Sequence, residues 1–176
     1  MTVPVQPAAT VAPLRDGPHG LEVLLLKRSP TLVFAPGAWV FPGGRVDPAD
    51  HRQGADRAPR LAAVREAAEE AGLLLDPDAL VEVAHWTTPP GQPRRYATWF
   101  FVADANRCGG VRVDGSEAVD YRWLTPAEAL AAGRRHELTL IRPTIATLTE
   151  LLDFPDVATA LAGFAARRAT HHLPRP

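Results

Sequence analysis

The stretch that decides the reading is Arg65-Glu66-Ala67-Ala68-Glu69-Glu70-Ala71-Gly72-Leu73. It closes a run in which Leu61, Val64, Ala67, Ala68 and Ala71 recur at three- and four-residue spacing, which predicts a helix over 61–71. Gly72 fits a C-terminal stop, and Pro59 suits the first turn. On such a helix Glu66, Glu69 and Glu70 stand at i, i+3 and i+4 and share one face. Three carboxylates so placed repel one another unless a cation sits between them. Clustered oxygens of this kind select Mg²⁺, with waters and substrate phosphates completing the octahedron. Arg65 precedes Glu69 by four residues and can pair with it, holding that carboxylate in place. The opposite face is mostly alanine and leucine, which lets the helix pack close to a sheet. Taken alone, such a Glu-rich, Ala-rich segment reads more readily as a solvated face than as a metal site.

Upstream, residues 8–15 and 21–28 read as strands, separated by the turn sequence Asp16-Gly17-Pro18-His19-Gly20. The second contains Val23-Leu24-Leu25-Leu26, an unbroken apolar run expected of a strand covered on both faces. A Pro/Gly-rich loop leads through Pro36-Gly37 to Ala38-Trp39-Val40-Phe41, which ends in Pro42-Gly43-Gly44. Downstream, strand-like segments occupy 80–86, 95–103 and 117–124. Thr125-Pro126-Ala127-Glu128 is a capping box opening a short helix, and Pro143 and Pro155 mark the starts of helices near 143–152 and 155–168. The order β-β-β-α-β-β-β-α-α-α implies an α/β architecture, a mixed sheet with helices on its faces. One domain is expected over residues 1–176, with its core at about 8–168 and a frayed tail from Ala169.

Composition narrows the function classes. Nineteen basic and twenty acidic side chains leave a net charge of −1, so no general attraction draws this chain to a nucleic-acid polymer or an anionic membrane. Any phosphate recognition must be local. The lone Cys108 rules out an intramolecular disulfide or a multi-Cys zinc site and suits a reducing cytoplasm. The N-terminus has no basic n-region and no unbroken apolar stretch, so neither a signal peptide nor a membrane span is expected.

Phe41-Pro42-Gly43-Gly44 and the glutamate-rich helix together resemble the Nudix family, whose box runs Gly-x5-Glu-x7-Arg-Glu-U-x-Glu-Glu-x-Gly-U with U aliphatic. Gly44 matches the first glycine; Arg65, Glu66, Ala67, Glu69, Glu70, Gly72 and Leu73 match the second half without a gap. Asp50 stands at the early glutamate position. Fourteen residues separate it from Arg65 where the family usually has seven, an insertion around 51–57 expected to lengthen the loop and leave the helix undisturbed. Leu24-Leu25-Leu26-Lys27-Arg28-Ser29, Gly37 and Phe41–Gly44 resemble the signature upstream of the box in coenzyme A diphosphatases. Val33 and Leu26 replace that signature's arginine and threonine. His85-Trp86-Thr87-Thr88-Pro89 and Arg95–Phe101 resemble a related subgroup that also carries an insertion in its box and includes peroxisomal coenzyme A hydrolases. The resemblance covers roughly residues 8–152.

It implies a Nudix-type α/β/α sandwich with a mixed β-sheet. It also implies Mg²⁺-dependent hydrolysis of a diphosphate linkage in a nucleotide-like substrate: a coenzyme A derivative, ADP-ribose or a dinucleotide. A catalytically weak module that senses a nucleotide is the alternative. Glu66, Glu69, Glu70 and the Gly44 carbonyl are the implied ligands of Mg²⁺, for which Mn²⁺ can substitute. The general base is implied to be Glu66 or a glutamate on a distant loop, for which Glu117 is the candidate and Asp120 a weaker one. Arg65 and Glu69 complete the catalytic set. Arg28, Gly43, Gly44 and Arg95 are candidate substrate contacts. Trp86, Trp99 and Tyr96 could stack on a nucleotide, although core packing suits the tryptophans better. A homodimer is a further expectation from the resemblance.

Overall fold

Strands β1 (Val5–Gly17) and β2 (Gly20–Arg28) form the expected hairpin, with Gly17 paired to Gly20 across Pro18 and His19. In this computed structural model, which describes residues 3–173, the apolar run of β2 is buried on both sides of the sheet. The two-residue period divides it: Leu24 and Leu26 join one core cluster, Val23 and Leu25 the other.

The first cluster lies under α1 (Ala58–Ala71), where Ala62, Ala63, Ala67 and Ala71 are fully buried against Ala9, Val11 and Phe101. Small side chains let helix and sheet approach closely. Gly72 ends the helix in the left-handed region, at φ +69°. The second cluster lies beneath α2 (Pro126–Arg134), α3 (Arg142–Leu151) and α4 (Val157–Ala165), around Leu14, Phe41, Leu148 and Phe164. The result is a sheet between helical layers, as expected. Thr125 and Glu128 close the capping box reciprocally, and Pro143 sits in the first turn of α3. Pro155 falls outside α4, whose N-cap is Asp156.

Among the described residues eight strands follow the order β3-β2-β1-β6-β5-β8, where β8 is Thr170–His172, with β7 (Ala118–Leu124) paired to β2 and β4 (Gly43–Arg45) to β1. Here β3 is Trp39–Val40, β5 is Val81–Thr87 and β6 is Arg95–Asp104. Along one edge β1 runs parallel to β6 from Val5 to Leu14. Its other edge is shared, Ala8–Thr10 with β4 and Leu14–Gly17 with β2. Between them Val11 N–H donates to Pro42 O at 3.0 Å, which brings the Pro-Gly-Gly corner onto the sheet.

One sequence expectation is refined and one needs correction. The inserted segment lengthens the loop, but its first residues are helical: Pro48–Gln53 forms a 3₁₀ helix, and its N-cap Asp47 donates its N–H to Asp50 Oδ2 at 2.8 Å. The tail expected to fray from Ala169 instead forms β8 (Thr170–His172), parallel to β5 at the sheet edge, with the His172 ring stacked on Trp86 at 3.7 Å between centroids. Its order comes from that tertiary contact, which a polar three-residue segment does not announce. Residues 174–176 of the expected tail lie outside the described residues. Among the described residues, no helix is long and apolar enough to cross a membrane.

Candidate functional site

A cleft of about 1390 Å³ opens on the sheet face opposite α1. One row of its floor follows the strand register, Arg45–Ala8–Thr98–Trp86–His172, from β4 to β8. Four strand spacings make that row about 19 Å long. The α1 glutamates meet the floor at β4, which pairs with β1 alone.

At that corner Glu70 is buried, 5% exposed, and its Oε2 accepts the Gly43 N–H at 3.0 Å. Glu66 presses against Gly44 so closely that a Cβ there would overlap its carboxylate. A Cβ on Gly43 would strike the Ala9 carbonyl at 2.6 Å and the Thr10 side chain. Close approach of the backbone therefore demands glycine at 43, whereas glycine at 44 leaves room for the Glu66 carboxylate. Glu69 is the exposed member, with 59% of its side chain open to solvent.

Arg65 organises this face. Its guanidinium forks onto Asp50 at 3.3 and 3.1 Å, reaches Glu66 at 2.9 Å and Glu69 at 3.1 Å, and donates to Arg45 O at 2.9 Å. Asp50 is 5% exposed and so gives Arg65 a desolvated partner. The 3₁₀ turn carries the shorter carboxylate to the arginine, which makes Asp50 a working member of the network.

Burial pushes the Glu70 carboxyl up to about 8; the Gly43 amide and Arg28 oppose the rise, while Glu66 and Glu117 add to it. Burial also raises Glu66, against the pull of Arg65 and with the push of Glu69 and Glu117. Burial acts to lower the Arg65 pKa, but hydrogen bonds and charge from Asp50 and Glu66 win and raise it. Among the described residues, no three His, Cys, Asp or Glu side chains converge as placed on one point. Arg65 Nη1 bridges Glu66 and Glu69 instead. The donor set nonetheless suits a hard cation: hard oxygens, a glycine cradle, and two carboxylates held up in pKa by burial and by neighbouring carboxylates.

The sequence model of the NUDIX domain matches residues 4–143. The chain belongs to the NUDIX domain family. A NUDIX hydrolase from Alicyclobacillus acidocaldarius has the same fold, with a TM-score of 0.84 and 28% identity over 94% of this chain and 99% of that one. The acyl-coenzyme A diphosphatases of Homo sapiens and Xenopus laevis are 27% and 24% identical over 97% and 87% of this chain, and over 71% and 65% of their own lengths. The chain spans 57% to 71% of the length of three curated relatives that it matches.

Within this NUDIX domain the cleft gathers Arg28, Gly43, Gly44, Arg65, Glu66, Glu69 and Glu117. Glu70, buried against the Gly43 N–H, and Arg95 are not among them. The odd-numbered residues of β6 face α1, and Arg95 is tied to the Thr88 and Val3 carbonyls at 3.1 and 3.4 Å. Arg94 and Tyr96 line the cleft in its place. Trp99 likewise packs on the α1 side, edge-on to His85 at 4.8 Å, whereas Trp86 lines the cleft. Asp120 is exposed on β7 and does not line it. Sequence reasoning missed the Asp50 anchor, Arg94 and the wall formed by His171 and His172.

Proposed function

We propose that this NUDIX-family chain is a divalent-metal-dependent diphosphatase acting on an elongated, nucleotide-like substrate. The observation that carries the reading is the meeting of Glu66 and Glu70 with Gly44 and Gly43 at one end of the cleft. Glu66, Glu69 and Glu70, with the Gly44 carbonyl, would hold Mg²⁺ or Mn²⁺ once Glu69 turns away from Arg65. The bound ion supplies Lewis-acid stabilisation of charge on the phosphoryl oxygens and the leaving phosphate. Arg28 offers a cation to the diphosphate, and Arg65 keeps the glutamates oriented through Asp50. Glu117, beside this corner, is suited to take the proton of the attacking water.

The row of about 19 Å supports a substrate that extends well beyond its diphosphate. A coenzyme A derivative, ADP-ribose or a dinucleotide satisfies that length, and the names of the human and frog relatives favour the first. The engagement of Arg65 by Asp50 supports turnover over the alternative, a sensor suggested by Asp50 and the inserted loop.

A panel of these diphosphates, assayed with Mg²⁺ and with products identified by mass spectrometry, tests the reading. It expects metal-dependent release of two phosphate-terminated products, lost in Glu70→Gln with the fold intact. Unchanged turnover in Glu70→Gln would refute the metal site. Tight binding of a panel member without hydrolysis at any Mg²⁺ or Mn²⁺ concentration would favour the sensor.

A further inference from the structure

Asp114 lies on the loop before β7 and is exposed, yet its carboxylate is fully engaged. Oδ1 accepts the Ala118 N–H at 2.8 Å; Oδ2 accepts the Glu117 N–H at 3.0 Å and the Ser116 hydroxyl. Burial acts to raise its pKa, but these hydrogen bonds outweigh it and hold the group below the usual carboxylate range. The three residues it grips are Glu117 and its two neighbours, and Glu117 lines the cleft together with Glu66, Glu69 and Asp47.

The same loop is fastened at both ends. Arg112 N–H donates to Ala71 O at 2.9 Å and Asp114 N–H to Glu70 O at 3.3 Å, which ties it to the last turn of α1. Ser29 N–H donates to Glu117 O at 2.8 Å, which ties it to the end of β2. Gly115, at φ +79°, makes the bend between them, and its N–H returns to Ala118 O at 2.9 Å. Backbone bonds thus index the loop to the glutamate helix, and Asp114 sets the pitch of residues 116–118.

We propose that Asp114 is the positioning residue for Glu117, fixing the distance between the Glu117 carboxylate and the glutamates of α1. This rests on the diphosphatase reading. In the step served, the water oxygen bonds to phosphorus, the bond from phosphorus to the bridging oxygen breaks, and the electron pair leaves with the departing phosphate. The water proton passes to the Glu117 carboxylate. Asp114 touches neither water nor phosphate and acts through the loop alone.

A double-mutant cycle on the full chain tests this. Asp114→Ala is expected to lower kcat about tenfold or more, since small misplacements of a reacting group are costly, with KM little changed. In a Glu117→Gln background the same change should cost less than about twofold, because the group it positions is already gone. Amide hydrogen exchange at residues 116–118 should quicken in Asp114→Ala while exchange in α1 stays as in the wild type. Asp114→Asn, which cannot accept hydrogen bonds on both of its atoms, carries the same cycle if the alanine variant folds poorly. Wild-type kcat in these variants, or an equal loss in both backgrounds, overturns the inference while leaving the diphosphatase reading intact. Failure of the wild type to cleave any diphosphate overturns both together.

Discussion

The Glu70 carboxylate, buried beneath the sheet edge, accepts the Gly43 N–H at 3.0 Å and so joins α1 to the glycine corner directly. Burial outweighs that single bond and pushes the carboxyl up to about 8. Between the unfolded value of 4.5 and about 8 the folded chain binds the extra proton. In metal-free protein the stability linked to Glu70 is therefore fully present below about pH 4.5 and is lost as pH rises through about 8. Thermal melts in chelator should show this decline, flattened in Glu70→Gln. Mg²⁺ should stabilise more at the alkaline end of this window, where the carboxylate is ionised. A wild-type decline as steep in Glu70→Gln would contradict the assignment.

Buried Asp50 and half-buried Arg65 form a fork at the base of the same face. Asp50→Ala should leave the guanidinium without its desolvated partner and cost on the order of 1–3 kcal/mol of stability. It should also lower kcat/KM by roughly tenfold to a hundredfold by releasing Arg65 toward Glu66 and Glu69. Denaturant melts and steady-state kinetics check the two effects separately. An Asp50→Ala enzyme with wild-type kinetics would show that Arg65 needs no anchor.

The strand β8 closes the far end of the cleft, with His171 and His172 lining it and His172 stacked on Trp86. That end is roughly four strand spacings from β4, so it should act on substrate affinity more than on chemistry. Removing residues 170–176 should raise KM several-fold for a long substrate and leave kcat nearly unchanged. A fall in kcat with KM preserved would place β8 in the chemistry instead.

The helix and its glutamate face were legible because two signals, a 3.6-residue period and a glycine stop, coincide in a short span around Glu66–Gly72. Burial of Val23–Leu26 on both faces was equally legible from an unbroken apolar run. The 3₁₀ turn carries local signals of its own, a capping box between Asp47 and Asp50 with Pro48 at its start, but the contact of Asp50 with Arg65, fifteen residues on in the chain, has no local signal. Arg95 misled for a different reason: strand alternation turns it toward α1, and the face of an isolated strand is set by its partners. His171 and His172 carried no apolar pattern, so only the free edge of β5 could reveal where they dock.

The most direct test of the metal site is a crystal grown or soaked with Mn²⁺, examined by anomalous scattering. One strong peak is expected at the end of the cleft, bounded by the carboxylates of Glu66, Glu69 and Glu70 and by the Gly44 carbonyl, with Glu69 rotated off Arg65. A crystal in which Arg65 still bridges Glu66 and Glu69 at saturating Mn²⁺, and no peak lies near Gly44, would contradict it.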